Sequence, residues 1–251
     1  MNFKDETIWI IGASSGIGRE LAIQLADKGA KLILSARRED ELNKLQKKLG
    51  TVHKIYPLDV SDPKQVKEIC SKISKLKSDV DRVIFMPSLY KPDSITNMDL
   101  DFMSKMIDVN IKGAICVTHG VLSIFEKQKS GQIVLCGSVA GYTGLPNGQP
   151  YSATKAAITN FAESLYTETP DYIDVKLISP GFVQTPMTAK NDFKMPMIIT
   201  PEQAASAIIQ GLNKNTFEIN FPKKFTLILK LLSILPYRLK LFLTKKMRQE
   251  V

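Results

Sequence analysis

The feature that most constrains this chain is its opening. The apolar run Thr7-Ile8-Trp9-Ile10-Ile11 ends directly in Gly12-Ala13-Ser14-Ser15-Gly16-Ile17-Gly18, and a helical pattern begins at once. A strand apolar at successive positions, as over 8–11, is buried on both faces, the condition of an interior strand in a parallel sheet with helices on either side. The rest of the 251 residues keeps this rhythm, with apolar runs of strand length at 31–36, 53–57, 82–86, 131–136, 174–179 and 217–221 separated by stretches of helical period. The first helix is expected over 16–28, stopped by Gly29 in a left-handed conformation. Thr200 before Pro201 reads as an N-cap followed by proline at the first helical position. The expected fold is α/β: one doubly wound parallel β-sheet of about seven strands with helices on both faces, spanning 1–222, and then a basic amphipathic helical extension over 223–251.

Charge is distributed unevenly. The formal net charge is +9, and between Glu218 and Glu250 stand Lys223, Lys224, Lys230, Arg238, Lys240, Lys245, Lys246 and Arg248 with no acidic residue among them. The remainder is nearly neutral, so the basic character belongs to the C-terminal segment and no basic face interleaved with aromatics marks a nucleic-acid binder. Cys70, Cys116 and Cys136 are scattered in apolar surroundings, and His53 and His119 stand far apart, so no metal site is expected. The N-terminal stretch runs through Lys4, Asp5 and Glu6 into the first strand without the architecture of a signal peptide, and a cytoplasmic location is expected.

Placed between a strand and a helix, the glycine loop suits a pyrophosphate. Glycines at 12, 16 and 18 permit the sharp turn and close backbone approach, and the exposed amides of the helix N-terminus carry partial positive charge. The second strand closes in Ala36-Arg37-Arg38, where an acid would bind the free 2′-hydroxyl of NAD. Alanine followed by guanidinium groups suits a 2′-phosphate instead. Further on, Tyr151 and Lys155 stand four apart on one helical face, so that an ammonium can stabilise the phenolate of a general acid or base.

Taken together, G-x-x-x-G-x-G after the first strand, Tyr151-Ser152-Ala153-Thr154-Lys155, and Ser138 thirteen residues before the tyrosine resemble the short-chain dehydrogenase/reductase family over residues 8 to about 210. The resemblance implies a Rossmann-like fold, NADP(H) as cofactor, and hydride transfer between a carbonyl and an alcohol. It assigns Ser138 to the substrate oxygen, Tyr151 to proton transfer, Lys155 to the phenolate and the nicotinamide ribose, and Asn110 to a water near the lysine. Gly12, Ser14, Ser15, Gly16, Ile17 and Gly18 would hold the pyrophosphate, Arg37 and Arg38 the 2′-phosphate, Asp59 and Val60 the adenine. Pro180, Gly181, Val183 and Thr185 would close over the nicotinamide. The family also implies a homodimer or homotetramer.

The chain departs from the family in three places. Ile11 replaces a threonine before the first glycine, Phe85-Met86-Pro87-Ser88 stands where Asn-Asn-Ala-Gly is usual after the fourth strand, and the Thr-Gly segment that ends acyl-carrier reductases is missing. A 3-oxoacyl reductase is therefore disfavoured. An NADPH-binding sensor with the same fold is the reading from another class, and the intact Tyr151, Lys155, Ser138 and Asn110 argue against it. In the extension, Leu227, Ile228, Leu231, Leu232 and Leu235 recur at helical spacing, Pro236 breaks the run, and Leu239, Phe242, Leu243 and Met247 resume it. Lys230, Arg238 and Lys240 make a spanning helix too costly. Two readings of the pair stay open: it lies on the inner face of a membrane and the substrate is lipid-like, or it packs over the substrate pocket or a partner subunit. The segment 187–199, with Met187, Phe193, Met195 and Met197, reads as an apolar lid.

Overall fold

The computed structural model describes residues 3–92 and 95–247. Seven parallel strands form one sheet in the order β3-β2-β1-β4-β5-β6-β7: β1 Thr7–Ile11, β2 Lys31–Ser35, β3 Lys54–Ile55, β4 Arg82–Phe85, β5 Gly131–Cys136, β6 Ile173–Pro180 and β7 Glu218–Phe221. The order reverses beside β1, which pairs with β2 on one side and β4 on the other. Side chains alternate across the pleat, so Ile8 and Ile10 meet α1 (Gly16–Asp27), α2 (Glu39–Leu49) and α7 (Pro201–Leu212), while Trp9 and Ile11 meet α3 (Pro63–Ile73), α5 (Gly113–Gln128) and α6 (Tyr151–Glu168). This is the doubly wound α/β fold that the strand rhythm predicts.

Local signals explain most boundaries. Helix α1 ends one residue earlier than expected, at Asp27: Gly29 N donates to Ala26 O and Ala30 N to Leu25 O, with Gly29 at φ +89. This reciprocal pair closes the last turn on a left-handed residue. At the start of α7, Thr200 Oγ1 accepts from Gln203 N and Gln203 Oε1 accepts from Thr200 N, a capping box ahead of Pro201. The third strand is shorter than 53–57. His53 is a buried acceptor for Leu32 N through Nδ1 at 3.1 Å, and Pro57 has no N–H to continue the ladder. Only Lys54 and Ile55 pair as strand, although Tyr56 N and Leu58 N still donate to Leu34 O and Ala36 O. Strands β2 and β4 each stop one residue sooner than expected, β7 starts one later, and β6 is one residue longer at each end.

Between α4 (Leu100–Ile107) and α5 the helix continues through a π-turn at Asp108–Lys112. One extra residue per turn rotates Asn110 inward, where it is 1% exposed. Leu100–Gln128 is long and apolar enough to cross a membrane by composition, but in α5 Ala114, Val117, Val121, Ile124 and Phe125 are buried in the core beneath the sheet.

The C-terminal helices α8 (Lys223–Ile234) and α9 (Tyr237–Lys246) follow β7. Helix α8 sets Phe225, Leu229 and Leu232 against Val139 and Tyr142, and the ion pair of Lys230 with Glu218 ties it to β7. Its other face is open: Leu227, Ile228, Leu231 and Ile234 are all more than half exposed. Arg248 and the ends of the two spans, 1–2 and 248–251, lie outside the described residues.

Candidate active site

Where the strand order reverses, the carboxyl ends of β1 and β4 diverge and leave a crevice. A cleft of about 310 Å³ occupies it. One wall is the glycine loop. Gly12 adopts φ +90 and Gly16 φ +55, and a Cβ on Gly18 would stand 2.4 Å from Gly12 O, so only glycine lets α1 start this close to β1. Ser15 caps α1 without a side-chain hydrogen bond, and no acidic residue occupies the first turn. The first-turn amides and the positive end of the helix therefore face the cleft without an internal anion.

The second wall comes from the ends of β2 and β3. Ala36 is buried, Arg37 and Arg38 are exposed at the rim, and Arg38 Nη2 donates to Ser14 Oγ at 3.0 Å, which joins this rim to the glycine loop. Asp59 Oδ1 accepts from Ser61 N and Ser61 Oγ at 3.0 and 2.7 Å, a local turn that fixes Asp59 and Val60 along the wall.

The floor holds the reactive groups. Lys155 is 2% exposed, and its Nζ donates to Cys136 O at 2.8 Å while standing 5.5 Å from the centre of the Tyr151 ring. Burial lowers the lysine's pKa from its ordinary value. Tyr151 lines the cleft, and burial pushes its phenol well above the ordinary tyrosine value, with the Cys136 thiol adding to the rise. Ser138 opposes that rise from hydrogen-bonding range, and its own Oγ accepts from Ala140 N at 3.1 Å. The loop Pro180, Gly181, Val183 and Thr185 closes the far side, held in shape by Thr188 Oγ1, which accepts from Thr185 N and donates to Val183 O.

All the expected site residues line this cleft except Asn110, whose place is taken by Val109. Asn110 sits behind the wall. Its Oδ1 accepts from Leu89 N at 2.7 Å, and its Nδ2 donates to Leu89 O and Thr154 Oγ1, each at 3.0 Å. These three hydrogen bonds make the Asn110 side chain a clamp, a role that the resemblance does not name. It pins the segment after β4 to α6.

That segment holds what the sequence reading missed. Met86, Pro87, Ser88 and Leu89 line the cleft. Ser88 Oγ is buried without a hydrogen bond of good geometry, yet it lies near enough to the Tyr151 phenol to act with Ser138 against the rise in its pKa. Tyr90 packs edge-on to Tyr151 with ring centres 4.9 Å apart, and its hydroxyl donates to Asn191 in the lid at 2.6 Å. The departure from Asn-Asn-Ala-Gly hid these residues, though any segment at the reversal of strand order lies where ligands bind. In the lid, Met187 lines the cleft, Phe193 packs on Phe182 and Phe182 on Phe225, while Met197 is 47% exposed.

A glycine cradle above a Tyr-Lys-Ser floor, set at the switch point of a doubly wound sheet, defines an oxidoreductase that works with a dinucleotide. The comparisons agree. The chain belongs to the short-chain dehydrogenase/reductase family, whose model, described as short chain dehydrogenase, matches residues 6–195. It is 32% identical over 212 residues to an uncharacterized oxidoreductase of Staphylococcus epidermidis, covering 84% of this chain and 92% of the relative. It is also 32% identical over 226 residues to an NADP-dependent 3-hydroxy acid dehydrogenase of Schizosaccharomyces pombe, covering 83% and 87%. Among solved structures, a short chain dehydrogenase from Burkholderia cenocepacia in complex with NADP superposes with a TM-score of 0.83 at 21% identity, covering 96% of this chain and 97% of that one. An alcohol dehydrogenase from the archaeon Thermococcus sibiricus complexed with 5-hydroxy-NADP gives 0.77 at 26% identity, covering 86% and 95%.

Proposed function

We propose that the protein is an NADPH-dependent reductase that converts a carbonyl to an alcohol, and the reverse, on an apolar, lipid-like substrate. The observation that carries the reading is the convergence of Tyr151 with the buried Ser138 and Lys155 at the floor of the cleft. The cofactor fits the walls: the glycine loop brings its backbone and the start of α1 to the cleft in a turn that the close contacts at Gly12 and Gly18 reserve for glycine, and Arg37 and Arg38 stand at the rim beside an alanine rather than an acid. When bound, NADPH supplies the hydride that the protein's own side chains cannot.

The chain's residues then handle the proton and the developing charge. The carbonyl oxygen is held by Ser138 Oγ as negative charge grows on it. Burial keeps the Tyr151 phenol protonated, so it enters a reduction as the acid, and its Oη proton passes to the alkoxide. Lys155, oriented by Cys136 O, stabilises the phenolate left behind until solvent returns a proton. The apolar side chains of Met86, Leu89 and Met187 along the cleft support an apolar substrate.

The test is NADPH consumption, followed by its near-ultraviolet absorbance, with long-chain ketones, aldehydes, diketones and 3-oxo acids, comparing wild type with Tyr151→Phe and NADPH with NADH. Turnover by wild type that the variant loses, with NADPH favoured, is expected. Tight NADPH binding with no turnover on any member would sink the reductase and leave the sensor. Best turnover on the 3-oxo acids would replace the lipid-like substrate with a hydroxy acid of the kind named for the fission-yeast relative.

A further inference from the structure

The outer surface of α8 and α9 takes no part in the cleft. Nine of the sixteen exposed large apolar residues among those described fall here: Leu227, Ile228, Leu231, Ile234, Tyr237, Leu239, Leu241, Phe242 and Met247. A concentration of this kind marks a contact surface. The face is held in place, because Phe225, Leu229, Leu232 and the Lys230–Glu218 pair fasten the opposite side of α8 to the core. An apolar hollow lined by Pro236, Leu239, Leu241 and Phe242 opens on α9, with Arg238 and Lys245 at its edge.

Charge decides what covers it. Between residues 219 and 247 there are seven lysines and arginines and no acidic residue. Lys230 is paired with Glu218, whereas Lys223, Lys224, Arg238, Lys240, Lys245 and Lys246 form no ion pair among the described residues. A two-fold contact between copies would set this face against itself, cation opposite cation, and the cores of such contacts are depleted in charge. Here cations alternate with leucines and aromatics along α9, as Lys240 over the Tyr237 ring and Lys246 over the Phe242 ring show. Anionic headgroups neutralise such a pattern while acyl chains receive the apolar side chains.

We propose that the outer face of α8 and α9 is a membrane-docking surface that lies on an anionic lipid bilayer, the helices parallel to its plane. The proposal is independent of the catalytic reading. It places the site at a lipid surface, since the inner side of α8 presents Phe225 to Phe182 beside the loop that closes the cleft.

The experiment is co-sedimentation of the full-length protein with vesicles of phosphatidylcholine and phosphatidylglycerol in a two-to-one ratio, beside pure phosphatidylcholine, at low and high salt. Wild type should pellet with the anionic vesicles at low salt and bind at least about tenfold more weakly to the neutral ones, with most of the difference lost at high salt. Leu231→Glu with Phe242→Glu, both exposed and remote from the cleft, should lower anionic binding by more than about tenfold while circular dichroism stays unchanged. Lys245→Glu should cost about fivefold or more, the weight of one cation near such a surface. Folded wild type that stays in the supernatant, equal binding to both vesicle types, or undiminished binding by the double variant would each overturn the proposal. So would a dimer in sedimentation equilibrium that Leu231→Glu dissociates, in a protein that ignores vesicles, because the face would then belong to a second copy.

Discussion

Replacing Asn110 by alanine separates a structural clamp from a chemical relay. The side chain is 1% exposed and makes three hydrogen bonds, to Leu89 N, Leu89 O and Thr154 Oγ1. Its loss leaves those groups without their partner, at about 1–3 kcal/mol for each buried one. Thr154 Oγ1 already donates to Tyr151 O at 2.8 Å, so its share falls at the low end. Leu89 lines the cleft, and water entering there recovers part of the rest. The net loss should be about 3–5 kcal/mol, which for a domain of this size lowers Tm by roughly 6–20 °C at about 2–4 °C per kcal/mol. Scanning calorimetry reads this directly. Turnover should fall as well, because the freed segment carries Ser88 and Tyr90 beside Tyr151. Asn110→Asp keeps the acceptor for Leu89 N and removes both donors, and its buried carboxylate would have a raised pKa. Its stability should therefore improve as pH falls and worsen as pH rises through that folded value. A melting point for Asn110→Ala within about 2 °C of wild type would refute the clamp.

Three other outcomes follow from named contacts. Arg82 joins Glu6 through two nitrogens, Gln132 Oε1, Leu212 O and Asn213 Oδ1, so Arg82→Ala should destabilise by about 3–5 kcal/mol in urea, and Arg82→Lys should recover only part of it; a loss below about 1 kcal/mol would contradict this. Arg37→Ala with Arg38→Ala should weaken NADPH binding about tenfold or more by calorimetry and leave NADH nearly unchanged, since only one carries the 2′-phosphate; equal losses for both nucleotides would remove the phosphate role. Burial raises the Tyr151 phenol, so its contribution to folding is present below the unfolded value of about 10 and is lost as pH rises through the folded one. The phenolate absorbance of wild type minus Tyr151→Phe, without cofactor, should stay flat to at least about pH 10, and a step near neutrality would show that the Lys155 ammonium outweighs burial, against this reasoning.

What the sequence disclosed and what it hid follow a physical rule. Strand β1, the glycine loop and α7 were legible because their determinants are local: an apolar run, glycines at a turn, a cap and a proline. The resemblance places Asn110 at the site, but nothing in a linear pattern announces its π-turn or a partner 21 positions away. The third strand is shorter than its sequence suggests because a linear pattern does not reveal that His53 turns inward to Leu32. The helical leucines of α8 read as one stripe and are two. Residues 225, 229 and 232 make one, and 227, 231 and 234 make the other. An offset of two residues is about 200° around a helix, so the same period serves two opposed faces, and only packing against Val139 selects the inner one.

The segment after β4 gives the departures from the family pattern a common consequence. Met86 and Pro87 stand against Gly12, where a Cβ would meet them at 3.1–3.2 Å, so they back the glycine loop. One residue on, Ser88 faces the phenol of Tyr151; Leu89 is clamped by Asn110; Tyr90 covers the ring of Tyr151 and reaches the lid through Asn191. Cradle, acid, π-turn and lid therefore meet along five consecutive residues. Proline narrows the backbone freedom of this stretch, and the two hydrogen bonds between Asn110 and the Leu89 backbone, one in each direction, remove much of the remainder. A bulkier sequence at this position keeps the fold because the strand beneath it is unchanged, with β4 still paired to both β1 and β5. The substitution acts on the cleft instead. It places a hydroxyl and an aromatic ring beside the acid, and the lid's position is thereby coupled through Tyr90 to the environment of Tyr151.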